Sequence, residues 1–174
     1  FEQAFGPGDV VTMNNAAKAI AVYERTLITP GSAYDRYVKG DKTALTPQQL
    51  RGMETFAEVG CTSCHQGPAF NGPPLPAGTG FFMKFPTYPE SPYVAKYKLA
   101  EDPGRFNATK DEADRGMWRV PTLLNLTYTA PYMHTGTVKT LPEAVRVMAS
   151  TQLNRTRGDA QVDVFVAVLQ SLTE

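Results

Sequence analysis

The sequence predicts an all-α fold with long irregular loops. Apolar residues recur at three- and four-residue spacings, helix-start and helix-stop residues bracket those runs, and strand signals are weak. The first run, 14–28, carries Ala17, Ile20, Ala21, Leu27 and Ile28 behind Asn14 or Asn15 as a cap, and Pro30-Gly31 ends it. Thr46-Pro47-Gln48-Gln49 reads as a capping box with proline at the first helical position. Leu50, Met53, Phe56 and Ala57 then share one face until Gly60 stops the helix. A second capping box, Thr140-Leu141-Pro142-Glu143, opens a helix with Leu141, Ala144, Val145 and Met148 on one stripe. The last helix starts at Asp159 and aligns Val162, Phe165, Val166, Leu169 and Leu172.

Between these helices, 66–120 is punctuated by prolines and glycines, and a loop of that length in a compact domain needs something to wrap. Its aromatics Phe70, Phe81, Phe82, Phe85 and Tyr88 suit either a cofactor edge or a satellite core. The length, 174 residues, is that of one ordinary domain, and the apolar share of 42% is enough for a real core. With 17 basic against 17 acidic residues, neither nucleic acid nor an anionic membrane is favoured as a partner. No apolar stretch approaches the roughly 20 residues of a membrane span. Phe1-Glu2-Gln3 does not begin a signal sequence, so the expectation is a soluble chain whose leader has been removed.

The two cysteines stand in Cys61-Thr62-Ser63-Cys64-His65, the C-x-x-C-H pattern of haem c attachment. Thiols one helical turn apart can form thioethers to two vinyl groups, while the adjacent imidazole of His65 becomes the proximal iron ligand. A thioredoxin-type dithiol would want a βαβ context that is missing here. Zinc held by Cys61, Cys64, His65 and His134 would have to use adjacent residues as a tetrahedral pair, without the usual second ligand spacing. One haem motif implies one haem, and the pattern of helices suits a cytochrome c-like domain. The sixth iron position decides between electron transfer and chemistry, because a thioether there gives a six-coordinate, higher-potential centre and an open site could take peroxide. Composition does not choose among Met13, Met53, Met83, Met117, Met133, Met148 and His134, although Met148 is attractive on its apolar stripe.

Several blocks together resemble the C-terminal haem domain of bacterial di-haem cytochrome c peroxidases, a family that includes the methylamine-utilisation enzymes. They are the run from Ala17 to Leu27, Asp35-Arg36-Tyr37, Gly60 to Gly67, Gly104-Arg105-Phe106, Arg119-Val120-Pro121-Thr122-Leu123, Thr129-Ala130-Pro131-Tyr132-Met133-His134-Thr135-Gly136, and Leu141 to Met148. In that family the C-terminal haem is the high-potential, electron-accepting one, with histidine and methionine ligands. The resemblance implies Met148 as sixth ligand, Met133 as its main rival and His134 as a hydrogen-bonding neighbour of the haem. It implies that Arg105 and Arg119 hold haem propionates, and that the carbonyls of Thr129 and Pro131 bind a calcium between two haem domains. Leu124 stands where the family has arginine, which removes one guanidinium near the crevice.

The family's N-terminal half, with its own C-x-x-C-H and peroxidatic haem, has no counterpart here, and 1–28 resembles the end of that half, leaving 29–174 as the haem domain. The implied function is a periplasmic electron-transfer domain that takes electrons from a small cytochrome or copper protein. It would pass them to a peroxidatic haem domain or subunit that reduces hydrogen peroxide to water. Two alternatives stand beside it: a monohaem electron carrier, and a self-contained peroxidase with a labile sixth ligand. Thioether attachment takes place outside the cytoplasmic membrane, hence the periplasm. The balanced charge hides any docking patch, and the oligomeric state, homodimer included, stays open.

Overall fold

In the computed structural model, which describes every residue except Ala77, the helix ahead of the haem motif begins as its cap residues dictate. Thr46 accepts from the Gln49 amide, the Gln49 side chain accepts from the Thr46 amide, and Pro47 starts α4, Pro47–Glu58. Gly60, at φ +95, ends it in the left-handed region and turns the chain into a short 3₁₀ turn, Cys61–Ser63. A similar box that the sequence reading did not single out, Ser32 with Asp35, opens α3, Ala33–Val38.

The chain divides into two compact units, Phe1–Gly31 and Ser32–Glu174. The first holds α1, Glu2–Phe5, and α2, Met13–Glu24, whose cap is Thr12 rather than Asn14 or Asn15. Asn15 instead donates its side-chain amide to the Val10 carbonyl, which fixes the entry to the helix.

The second unit is built on α4, α7 (Leu141–Leu153) and α8 (Asp159–Ser171), with α8 packed against both of the others. Gly52 is what lets α4 and α8 approach: a Cβ there would lie 2.5 Å from the Val164 carbonyl oxygen and 2.9 Å from the Val168 Cβ. Val162, Phe165, Val168 and Leu169 of α8 are buried, and the central cluster joins Leu169 and Leu172 to Leu141, Ala144 and Val147 of α7. Val94, Leu99, Tyr132 and Val138 complete that cluster.

The segment 66–120 is more structured than its composition suggests. β1, Phe82–Lys84, pairs antiparallel with β2, Met117–Arg119, and short helices α5 (Pro92–Lys96) and α6 (Phe106–Thr109) lie between them. Hydrogen bonds hold it to α7: the main-chain amides of Thr87 and Tyr88 donate to the Thr151 carbonyl at 3.0 and 2.9 Å, and the Gln152 side-chain amide donates to the Lys84 carbonyl at 2.9 Å. Phe70 and Phe85 pack against the central cluster.

On α7, Thr140 caps as expected, but its capping box is half made. The Glu143 carboxylate turns away to accept from Lys96 Nζ at 2.8 Å and from the Tyr97 hydroxyl at 2.5 Å. The architecture is all-α apart from the one small two-stranded sheet among the described residues.

Candidate haem-binding site

The end of α4 and the turn after Gly60 deliver Cys61, Cys64 and His65 in succession, and both thiols are free. The His65 amide donates to the Cys61 carbonyl at 2.9 Å, which folds the pentapeptide into a single turn. The His65 Nδ1 lies 2.9 Å from the Phe70 carbonyl oxygen. A ring nitrogen engaged with a carbonyl carries the proton and leaves Nε2 as the lone-pair donor, the usual way a histidine is oriented for a metal. Burial is the main influence on the ring and lowers its pKa, while the Phe70 and Pro121 carbonyls oppose that shift. The imidazole is thereby kept neutral, which is the ligating form. Burial likewise pushes the Cys61 thiol up to about 11, with the charge of Arg157 working against it.

A second strand of chain closes on this motif. The Thr122 hydroxyl donates to the Ala69 carbonyl at 2.6 Å, so the segment leaving β2 is stitched to the loop that follows His65.

Met148 sits on α7, partly buried beside the fully packed Val147 and Ala149. The buried stripe runs through Leu141, Ala144, Val147 and Thr151, so Val145 and Met148, which the sequence pattern puts on the stripe itself, lie at its margin and are only half-buried. Met133 has φ +63 and packs against the central cluster. His134 is exposed. It stacks on Trp118 with centroids 4.1 Å apart and meets Phe85 edge-on at 5.9 Å. Partial burial lowers its pKa, opposed by Asp102 and by the Leu99 carbonyl.

Arg105 and Arg119 are brought together on the wall of a cavity of about 450 Å³, shared with Gly78, Thr79, Gly80 and Phe82. Arg105 is already engaged: its Nε donates to Asp114 at 2.9 Å and its guanidinium lies 4.2 Å from the Phe82 ring centre. Thr129 and Pro131 are exposed on the turn after 126–128. Among the described residues no three His, Cys, Asp or Glu side chains converge as metal ligands.

Two buried nitrogens have no hydrogen-bond partner among the described residues, Trp118 Nε1 and Arg157 Nη2. Neither was singled out from sequence. A tethering pair of thiols, a histidine oriented through Nδ1 and orphaned buried donors together fit a covalently held haem with two carboxylates.

Comparison with known proteins agrees with this geometry. Residues 1–43 match the Di-haem cytochrome c peroxidase family. Over 173 residues the chain is 40% identical to the cytochrome c551 peroxidase of Nitrosomonas europaea, covering 99% of this chain and 48% of that protein. It is 38% identical over 175 residues to the cytochrome c551 peroxidase of Pseudomonas aeruginosa, with the same coverages. The chain belongs to the di-haem cytochrome c peroxidase family. A third member, the cytochrome c peroxidase Ccp of Escherichia coli, is 39% identical over 159 residues, 91% of this chain and 32% of that protein. The chain thus spans about half the length, or less, of these peroxidases. A solved MauG-like protein associated with microbial copper homeostasis shares the fold, with a TM-score of 0.70 at 23% identity over 94% of this chain and 58% of that one. Haem c is the cofactor the peroxidase family implies. No helix among the described residues is long and apolar enough to cross a membrane.

Proposed function

We propose that this chain is the electron-accepting haem c module of a cytochrome c peroxidase. In this reading a small cytochrome or copper protein supplies single electrons, and a separate peroxidatic haem uses two of them with two protons to turn hydrogen peroxide into two waters. The observation that carries it is the His65 contact: an Nδ1 committed to the Phe70 carbonyl beside two free thiols supports a proximal ligand poised through Nε2. When bound, the haem supplies one-electron exchange at an iron whose potential depends on its axial ligands and burial.

This chain's residues tether and orient. Cys61 and Cys64 would tether the haem, His65 would bind the iron, and Met148 on α7 would supply a thioether ligand. With Met148 as well as His65 committed to the iron, this unit would offer peroxide neither an open site nor an adjacent proton donor, and the haem it holds would supply one-electron exchange. Arg105 and Arg119 act as a cationic wall toward haem carboxylates, with His134 as a polar neighbour. The exposed carbonyls of Thr129 and Pro131 serve as oxygen donors to a calcium shared with the peroxidatic domain, and the periplasm is the compartment.

The test is an optical spectrum of the reduced protein with and without carbon monoxide, on the wild type and on Met148→Ala. The wild type stays low-spin and indifferent to carbon monoxide, while the variant opens and binds it. A wild type that binds carbon monoxide would overturn the relay and favour a self-contained peroxidase; an unaltered variant would move the ligand to Met133 or His134.

A further inference from the structure

Three arginines of the second unit are held by acidic partners. Arg105 pairs with Asp114, Arg115 with Glu112, and Arg146 with Asp159 and Glu143. Arg157 is placed differently. It lies on the connector between α7 and α8, one residue before the Gly158 cap, with its guanidinium carbon 5.9 Å from the ring centre of the buried Phe165. Its Nη2 is buried without an acceptor. A desolvated guanidinium N–H without a partner is costly to leave in a folded protein, more so than the neutral Trp118 indole N–H, because the charge as well as the hydrogen bond is uncompensated.

Location narrows what could supply the acceptor. Phe165 belongs to the helix that packs on α4, and α4 runs directly into the haem motif. The positive charge of Arg157 is also felt at the Cys61 thiol, the first haem tether. The cofactor expected at this place brings two carboxylates, and carboxylate is the acceptor a guanidinium matches best.

We infer that Arg157 is a positioning residue for the haem, donating from its buried Nη2 to a haem carboxylate and neutralising that carboxylate's charge at the ring edge. The inference rests on the haem c reading. Its consequence is a higher reduction potential, because a cation held beside the ring disfavours the oxidised, more positive iron. This suits a haem that receives electrons.

The experiment uses the full chain matured with haem, first assayed for covalent haem by its pyridine haemochrome spectrum, then titrated for midpoint potential and examined by resonance Raman in the carboxylate-bending region. Arg157→Gln is expected to retain attached haem, shift the carboxylate-bending band and lower the midpoint potential. Arg157→Lys keeps the charge and stays nearer the wild-type potential, which preserves the comparison should the glutamine variant fail to mature. An unmoved band in Arg157→Gln overturns the contact, whether or not the potential changes, and so does a potential equal to wild type. A wild-type chain without covalent haem would overturn the haem c reading itself, a result separable from either of these.

Discussion

Substituting Gly52 by alanine tests whether the α4–α8 crossing holds the haem-bearing turn in place. A Cβ on Gly52 falls 2.5 Å from a main-chain oxygen and 2.9 Å from a Cβ of α8, both closer than atoms of those kinds approach. The nearest obstacle is backbone, so the helices must separate where a side chain would merely have turned aside. Overpacking of this kind costs about 3 kcal/mol at the upper end of its usual range. Replacing glycine inside a helix returns about 1 kcal/mol through propensity. The net loss is therefore about 2 kcal/mol, which for a chain of this size lowers Tm by roughly 4–8 °C. Circular dichroism at 222 nm on the haem-loaded protein reads it, with the Soret band followed in parallel. Because only Val59 and Gly60 lie between the end of α4 and Cys61, separating that helix from α8 should also broaden or weaken the Soret signal below the main transition. A Gly52→Ala variant that melts at or above the wild-type temperature would show that propensity outweighs the contact, and the reasoning from close approach would fail.

Two further outcomes follow from local geometry. Glu143 accepts from Lys96 first and from Tyr97, and these bonds hold its carboxyl below the ordinary range. A carboxylate with a depressed folded-state pKa contributes stability above its unfolded pKa of about 4.3, and the contribution is lost as pH falls through the folded value. Glu143→Gln is accordingly expected to lower Tm at pH 7, the two proteins converging only once pH has fallen through the lowered folded-state pKa, on melting curves taken across that range. Gly158 caps α8 at φ −71 and ψ 163 with no side-chain bond and open space around it, so Gly158→Ser supplies the missing acceptor. It should raise the urea midpoint by an amount equal to a few tenths of a kcal/mol, with an unchanged slope.

What was legible in the sequence was local. The Thr46 box, the stop at Gly60 and the start at Asp159 each depend on residues within four positions of one another, and each stands as read. The readings that shifted are those decided by distant partners. Glu143 was expected to complete its own cap, but Lys96 and Tyr97, which arrive from α5 and its end, capture the carboxylate. The strands at 82–84 and 117–119 are three residues each, too short for an alternating pattern to register, and they exist because the loop closes on itself. Arg157 carried no signal at all: a lone arginine between helices becomes notable only when the fold buries its Nη2 beside the haem motif.

The same contrast bears on how a proline-rich segment of this length stays ordered. Its ties are main-chain contacts to rigid partners: the Thr151 carbonyl takes both the Thr87 and Tyr88 amides, and it is free to do so at the last turn of α7, where helix carbonyls lack intrahelical partners. The buried Thr151 hydroxyl, meanwhile, donates back to Val147 at 2.7 Å and leaves no competing donor. At the other end the Thr122 hydroxyl holds the Ala69 carbonyl one residue from Phe70, whose own carbonyl orients His65. The loop is thus clamped at the C-terminal turn of α7 and at the turn that sets the proximal imidazole. A change that loosens the Thr122–Ala69 clamp should be felt at His65 before it is felt in the helices, because the neighbouring Phe70 carbonyl is what holds the imidazole.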